Sequence, residues 1–216
     1  MNCQRRAFLR SGTGAALAFL AFPLVAGQAA ADQAKTVGQV ADLVGSAFRQ
    51  RGEAVTQLKI GDPVSADDSL TTGRESKLQV RLLDGSILVL GAESSCALRN
   101  LHLPTREAGG RGLITLDGGT LRLLLVKGAG WSGFSVETST VIASVRGTDF
   151  VVESAPAHSA VFVVGGVVAV TGQAGGSARL GPGQGSDILA GEAPSRAKRW
   201  PAERVATTLA KVRVTP

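Results

Sequence analysis

The chain has 216 residues and a formal net charge of +6, with 28 glycines, 7 phenylalanines, 2 tryptophans and no tyrosine. The charge sits at the two ends: residues 1–31 hold Arg5, Arg6 and Arg10 and no acid, so without them the net charge is +3, and from Glu192 onward six bases face two acids, leaving residues 32–191 near −1. That balance argues against a nucleic-acid-binding body, which needs a basic face, and a single cysteine beyond residue 31, Cys96, rules out an internal disulfide there.

The N-terminus reads as an address. "QRRAFLR" (Gln4 to Arg10) sets two adjacent arginines before Phe8 and Leu9, a weakly apolar run follows, and Ala29 and Ala31 supply the small-x-small pattern of a signal-peptidase site. The pattern resembles a twin-arginine signal, so residues 1–31 are expected to be cleaved between Ala31 and Asp32. The apolar run is shorter than the ~20 residues that cross a bilayer, and Cys3 precedes it, which excludes a lipoprotein cysteine. The product is expected to be periplasmic or secreted, with no transmembrane helix in the mature chain.

Residues 32–190 read as short strands separated by tight turns. "KLQVRLL" alternates, with Leu78, Val80 and Leu82 on one side and Lys77, Gln79 and Arg81 on the other. Asp84-Gly85 then predicts a type I′ hairpin into "SILVL". The same unit is predicted at "GLITL", Asp117-Gly118-Gly119, "TLRLLLV", and again at "SAVFVV", Gly165-Gly166, "VVAVTG". Gly73 in "TTGRES" and the glycines of "GPGQG" mark further turns. "TVGQVADLVGSAFRQ" fits a helix poorly because of Gly38 and Gly45, and suits a strand. The expected class is all-β, built of stacked short strands with glycine-rich turns like a β-solenoid or β-roll, with a β-sandwich as the alternative.

Residues 191–216 form a basic tail. Pro201 at a first turn, with Val205, Leu209 and Val212 on one face, predicts a short amphipathic helix. Its expected role is a cap packed over an open end of the β body with Trp200 as anchor, the other choice being a contact with anionic lipid or an acidic partner.

The order "GQVADLVGSAF", "LKIGDPVSADDSLTTGRESKLQVRLLDGSILVLGAES", "LITLDGGTLRLLL", "FSVETSTVIASVRGTDFVV", "VFVVGGVVAVTG" and "ARLGPGQG" resembles the FecR domain, over roughly Val37 to Gln184. The resemblance implies an all-β domain of solenoid character. The best-known members sense a signal passed from an outer-membrane receptor and relay it to a cytoplasmic anti-sigma segment. A cleavable signal in place of a cytoplasmic region and a spanning helix leaves that relay without a route here. What the resemblance carries over is an exported, non-enzymatic module for protein-protein interaction or signal sensing, its partner an unidentified envelope protein or surface polymer.

No catalytic, cofactor or metal set is predicted. Asp62, Asp67, Asp68, Asp84 and Asp117 sit where turns want them, and Cys96, His102 and His158 lack a metal-ligand spacing. A carbohydrate-active or carbohydrate-binding β-helix is the competing function, and it would need clustered acids in one groove. The charged family motif is Val145, Arg146, Gly147, Thr148, Asp149 and Phe150. Residues three apart on a regular strand face opposite ways, so the expectation is a corner: Gly147 bends the chain and Arg146 pairs with Asp149 over it.

Overall fold

The computed structural model describes residues 35–215; the expected signal and its cleavage point lie outside them. The strands are β1 (Thr36–Val44), β2 (Ala47–Arg51), β3 (Ala54–Gln57), β4 (Pro63–Ser65), β5 (Ser69–Thr72), β6 (Lys77–Leu82), β7 (Ile87–Leu90), β8 (Ser95–His102) and β9 (Gly110–Leu124). They continue as β10 (Trp131–Glu137), β11 (Val141–Val145), β12 (Asp149–Ala155), β13 (His158–Gly165), β14 (Val168–Gly172), β15 (Ser177–Leu180), β16 (Gln184–Leu189) and β17 (Lys198–Arg199), followed by the helix α1 (Ala202–Lys211).

All the strands belong to one unclosed hydrogen-bonded network. It divides into two rows because β9 runs through both. Sheet I is ordered β4-β1-β6-β7-β9-β12-β13-β16-β17 and uses the second half of β9. Sheet II is ordered β3-β2-β5-β8-β9-β10-β11-β14-β15 and uses the first half. Every pairing is antiparallel except β9 with β10.

The inward residues of both rows enter one apolar cluster: Val80, Leu88, Leu121, Phe150 and Val161 from sheet I, Leu70, Cys96, Leu116, Phe134 and Val170 from sheet II. Each fully buried side chain of this size contributes about 1.5–3 kcal/mol, and with no tyrosine the filling is mainly Val and Leu. Cys96 is one of these small fillers; burial, aided by the nearby Asp117 charge, pushes its thiol up to about 12.

Of the three expected hairpins, only the first pairs its own strands, β6 with β7. Its turn also differs from type I′: Gly85 alone is left-handed (φ +86°), and Asp84 instead accepts hydrogen bonds from the Ser86 amide and hydroxyl at 3.1 and 2.7 Å. Asp117-Gly118-Gly119 is no turn. β9 continues through it from sheet II to sheet I, and Gly119 must be glycine there, being left-handed (φ +89°) and so close to Ser94 Oγ that a Cβ would stand 2.3 Å from it, while Gly118 lies in the strand. Gly165-Gly166 likewise sends the chain across, since β13 pairs with β12 and β16 while β14 pairs with β11 and β15. An apolar run, a glycine and a second apolar run describe a crossing between sheets as well as a hairpin, and which one forms is set by long-range pairing.

The tail lies across the outer face of sheet I rather than over an end of the body. Val212, with Leu209 and Val214, packs on Val89 and Val151; Trp200 stacks on Phe162 at 5.0 Å, with Val205 beside it. Gly185 makes room for the indole: a Cβ there would come within 2.3 Å of it. Arg204 lies 3.5 Å from the centre of the Trp200 ring and forks onto Asp187, Lys211 reaches Glu153 at 2.8 Å, and the Thr215 backbone pairs with the Gln79 amide. Gln79, on the face of β6 opposite Leu78 and Val80, is therefore buried.

Candidate functional site

The charged motif stands between β11 in sheet II and β12 in sheet I. Val145 and Phe150 point into the core, and between them Gly147 takes φ +62°, so the chain turns from one sheet to the other. Thr148 is buried and its hydroxyl donates to the Val167 carbonyl at 3.1 Å, which ties this corner to the neighbouring one at Gly165-Gly166. Gly166 (φ +94°) is needed there, because a Cβ would press on Thr148 Oγ1 at 2.9 Å. Gly73 is a third close approach, with Ser46 Oγ 2.5 Å from where its Cβ would stand.

The two charges of the motif do not meet. Asp149 is held on both carboxylate oxygens by Arg122 of β9, at 2.9 and 2.8 Å, in a pair whose side chains are 15% and 19% exposed. The strand pairing explains the choice: Asp149 stands opposite Leu124 and Val151 opposite Arg122, so the two charges are diagonal neighbours on one face of sheet I. Arg146 faces away on the other side of the bend. It is exposed, and among the described residues its guanidinium donates only to the Ser132 carbonyl, at 3.4 Å.

Arg146 stands between two adjoining open depressions of about 530 and about 510 Å³. The first is walled by Lys127, Gly128, Gly130, Gly147, Val167 and the edge of Trp131. The second runs over the outer face of sheet II, along Ser132, Ser135, Ser144, Ala169 and Arg179. Ser135 and Ser144 share a hydrogen bond at 3.0 Å, Ser144 stands opposite Ala169, and Ala169 stands opposite Arg179, so small side chains form a flat floor with a base at its end. The lining therefore carries Lys127, Arg146 and Arg179 and no carboxylate. It carries no open aromatic face either, since Trp131 is 5% and Phe134 1% exposed, and the Trp131 Nε1–H is given to Asp84 at 2.6 Å.

Three of the acids expected in turns are held locally. Asp68 is fully buried against Arg51 and accepts the Ser65 amide, Asp62 accepts the Lys59 amide, and Asp84 serves Ser86 and Trp131. His102 is exposed beside the Asn100 carbonyl, and His158 opens β13 at 3.5 Å from Asp187. A cavity of about 550 Å³ under the tail, beside Val44, Lys77 and Lys211, is a gap in the cover whose two lysines are already paired with Asp42 and Glu153. Among the described residues no three His, Cys, Asp or Glu side chains converge as metal ligands, and no helix is long and apolar enough to cross a membrane. Lys127 and Arg179 escaped the sequence reading; the signal for Arg179 was its outward phase on a short strand, legible only once β14 and β15 are paired.

The model of the FecR family, described as FecR protein, matches residues 68–169, which hold the motif and Lys127. No curated protein matches the chain. Among solved structures, two crystal structures of a protein from Parabacteroides distasonis ATCC 8503, provisionally described as an anti-sigma factor, share 22% identity with a TM-score of 0.52. Each likeness covers 65% of this chain and 63% or 64% of the other, so this chain spans less than two thirds of those proteins and shares the fold with them.

Proposed function

Because the chain carries a FecR domain over residues 68–169, we propose that it is a signal-sensing, non-enzymatic protein-interaction module of the cell envelope, exported by its twin-arginine-like N-terminus. The alternation of the chain between sheets I and II at successive glycine corners supports a coiled, solenoid-like architecture for it. The partner meets the outer face of sheet II beside Arg146, and the chemistry it must offer is acidic.

The observation that carries this reading is the division of labour within the motif. Val145, Gly147, Thr148, Asp149 and Phe150 each have a structural task, whereas Arg146 has none beyond one long hydrogen bond and stands with Lys127 and Arg179 around a groove without acids. A charged side chain held out at a rigid corner is how complementary surfaces steer and orient each other. A polysaccharide is the less favoured occupant, because sugar rings are held by open aromatic faces and both aromatic side chains here are covered.

A photo-crosslinking residue at Ser144 tests the reading in cells. The expected result is an adduct with one envelope protein that disappears in Arg146→Glu, while the same residue at the distant, exposed Leu189 gives none. Adducts at Leu189 and none at Ser144, or turnover of a polysaccharide by the purified protein, would overturn it.

A further inference from the structure

Among the described residues the two sheets end in four edge strands, and three of them are guarded against adding another strand. β4 is three residues long and begins with Pro63; β17 is two residues long, Lys198 and Arg199; β15 carries Arg179 and is bounded by Gly176 and Gly181-Pro182. β3 is different. Its four residues, Ala54, Val55, Thr56 and Gln57, are all exposed and uncharged, and Val55 is 64% exposed. Phe48 and Ile60 beside it add 37% and 65% exposed apolar side chains.

The parity of the β2–β3 ladder says which groups of β3 are open. The Leu58 amide donates to the Ala47 carbonyl at 2.9 Å, and opposite that ladder Arg49 faces Thr56 and Arg51 faces Ala54. Hydrogen-bonded pairs alternate along an antiparallel ladder, so Thr56 and Ala54 turn their main-chain groups toward β2. Val55 and Gln57 turn theirs outward.

We infer that β3 is the seam of a two-fold symmetric dimer of this chain. A second β3 laid antiparallel with the axis at Thr56 puts Val55 opposite Gln57 of the second copy and Gln57 opposite its Val55, closing four main-chain hydrogen bonds between the groups that point outward. The same register brings Glu53, at the turn before β3, toward Lys59 of the second copy, and Lys59 toward its Glu53. Alternative registers lose that charge match: an axis at Val55 or at Gln57 leaves Glu53 and Lys59 out of step. The joined sheet II has eighteen strands, and its seam lies at the end opposite the Arg146 groove, so the dimer leaves both grooves open. With one short strand per copy the contact is small, which places it among weak, concentration-dependent associations.

Sedimentation equilibrium on the protein purified from the cells that express it tests the seam, together with amide exchange at low and high protein concentration. The expected result is a reversible dimer in which the Val55 and Gln57 amides gain protection as concentration rises, while the Ala54 and Thr56 amides are protected throughout. Glu53→Lys or Lys59→Glu alone should weaken association about tenfold, since two attractive contacts become repulsive, and the two together should restore it. Val55→Pro, which removes an outward N–H without touching the β2 ladder, should abolish it. A monomer at every concentration overturns the proposal. So does a dimer indifferent to these substitutions, or a charge-reversed pair that fails to recover.

Discussion

Sheets I and II share one core, yet their outer faces differ in kind. Outward from sheet I stand Val89, Val151, Ala160 and Phe162, all buried beneath the tail. Outward from sheet II stand Ser135, Ser144, Ala169, Thr171 and Arg179, which no other element of the described chain covers. The difference is written in the strands. β7, β12 and β13 are buried on both phases, whereas β10, β11 and β14 alternate. A strand that is apolar on both faces demands a second cover, and here residues 198–215 supply it. One face is used for stability, and the other is left open for a partner.

The largest test of that contrast is Trp200→Ala. Truncating a buried aromatic leaves a cavity and should cost about 3–5 kcal/mol, read by chemical denaturation. Gly185→Val should act in the same direction by pushing the indole off, because the space it would fill is already taken at 2.3 Å. Ser144→Ala, on the other face, should stay within about 0.5 kcal/mol of the parent. Equal costs on both faces would break the comparison.

A second test divides the motif itself. Asp149 belongs to the covered sheet and Arg146 to the open one. Asp149→Ala strands the half-buried Arg122 guanidinium and should cost about 2 kcal/mol, whereas Arg146→Ala should leave the thermal midpoint close to the parent's while removing the crosslink at Ser144. If Arg146→Ala proved the more destabilising of the two, the corner would be held by the charge we assign to recognition.

Much of the covered face is legible in the sequence. The continuous apolar runs "SILVL", "DFVV" and "SAVFVV", and the amphipathic tail with Val205, Leu209 and Val212, are both visible in the chain. What was not visible is that they belong together, because contacts such as Gln79 with Thr215 join residues 136 apart. The same limit explains the hairpins. Asp-Gly-Gly at 117–119 offers the local chemistry of a turn, but Ser94 crowds the chain at Gly119 and both halves of β9 find partners in different sheets. The bend at Gly147 could be inferred from the charge interrupting a strand. The partner of Asp149 could not, since Arg122 enters only through the register of β9 against β12. The groove was the least legible part: Lys127, Arg146 and Arg179 come from three separate segments and no spacing links them.

The smallest effect concerns how the cover is held. The apolar part of the tail is anchored by Trp200 and Val212, and three carboxylates of the body clamp it: Asp187 at Arg204, Glu153 at Lys211 and Asp42 at Thr215. The hydrogen bonds from Arg204 hold the Asp187 carboxyl below its ordinary range, with help from Lys198, and those from the Thr215 hydroxyl and Lys77 do the same for Asp42. A carboxyl depressed in the folded state stabilises it fully above the ordinary value of 3.8, and that stabilisation drains away as the pH falls through the lower, folded value. The tail should therefore be held at neutral pH and loosen only in acid, below about pH 4. Half-exposed ion pairs contribute little each, so the loosening should be partial while Trp200 remains seated. In a Trp131→Phe background the emission of Trp200 reports it directly. The parent should show an acid-induced shift ahead of unfolding of the β body, and Asp187→Asn should show the loosened signal already at neutral pH with a flatter acid limb. A single acid transition in which Trp200 and the body move together, unchanged by Asp187→Asn, would mean that the tail is an integral layer of the fold and not a cover laid over sheet I.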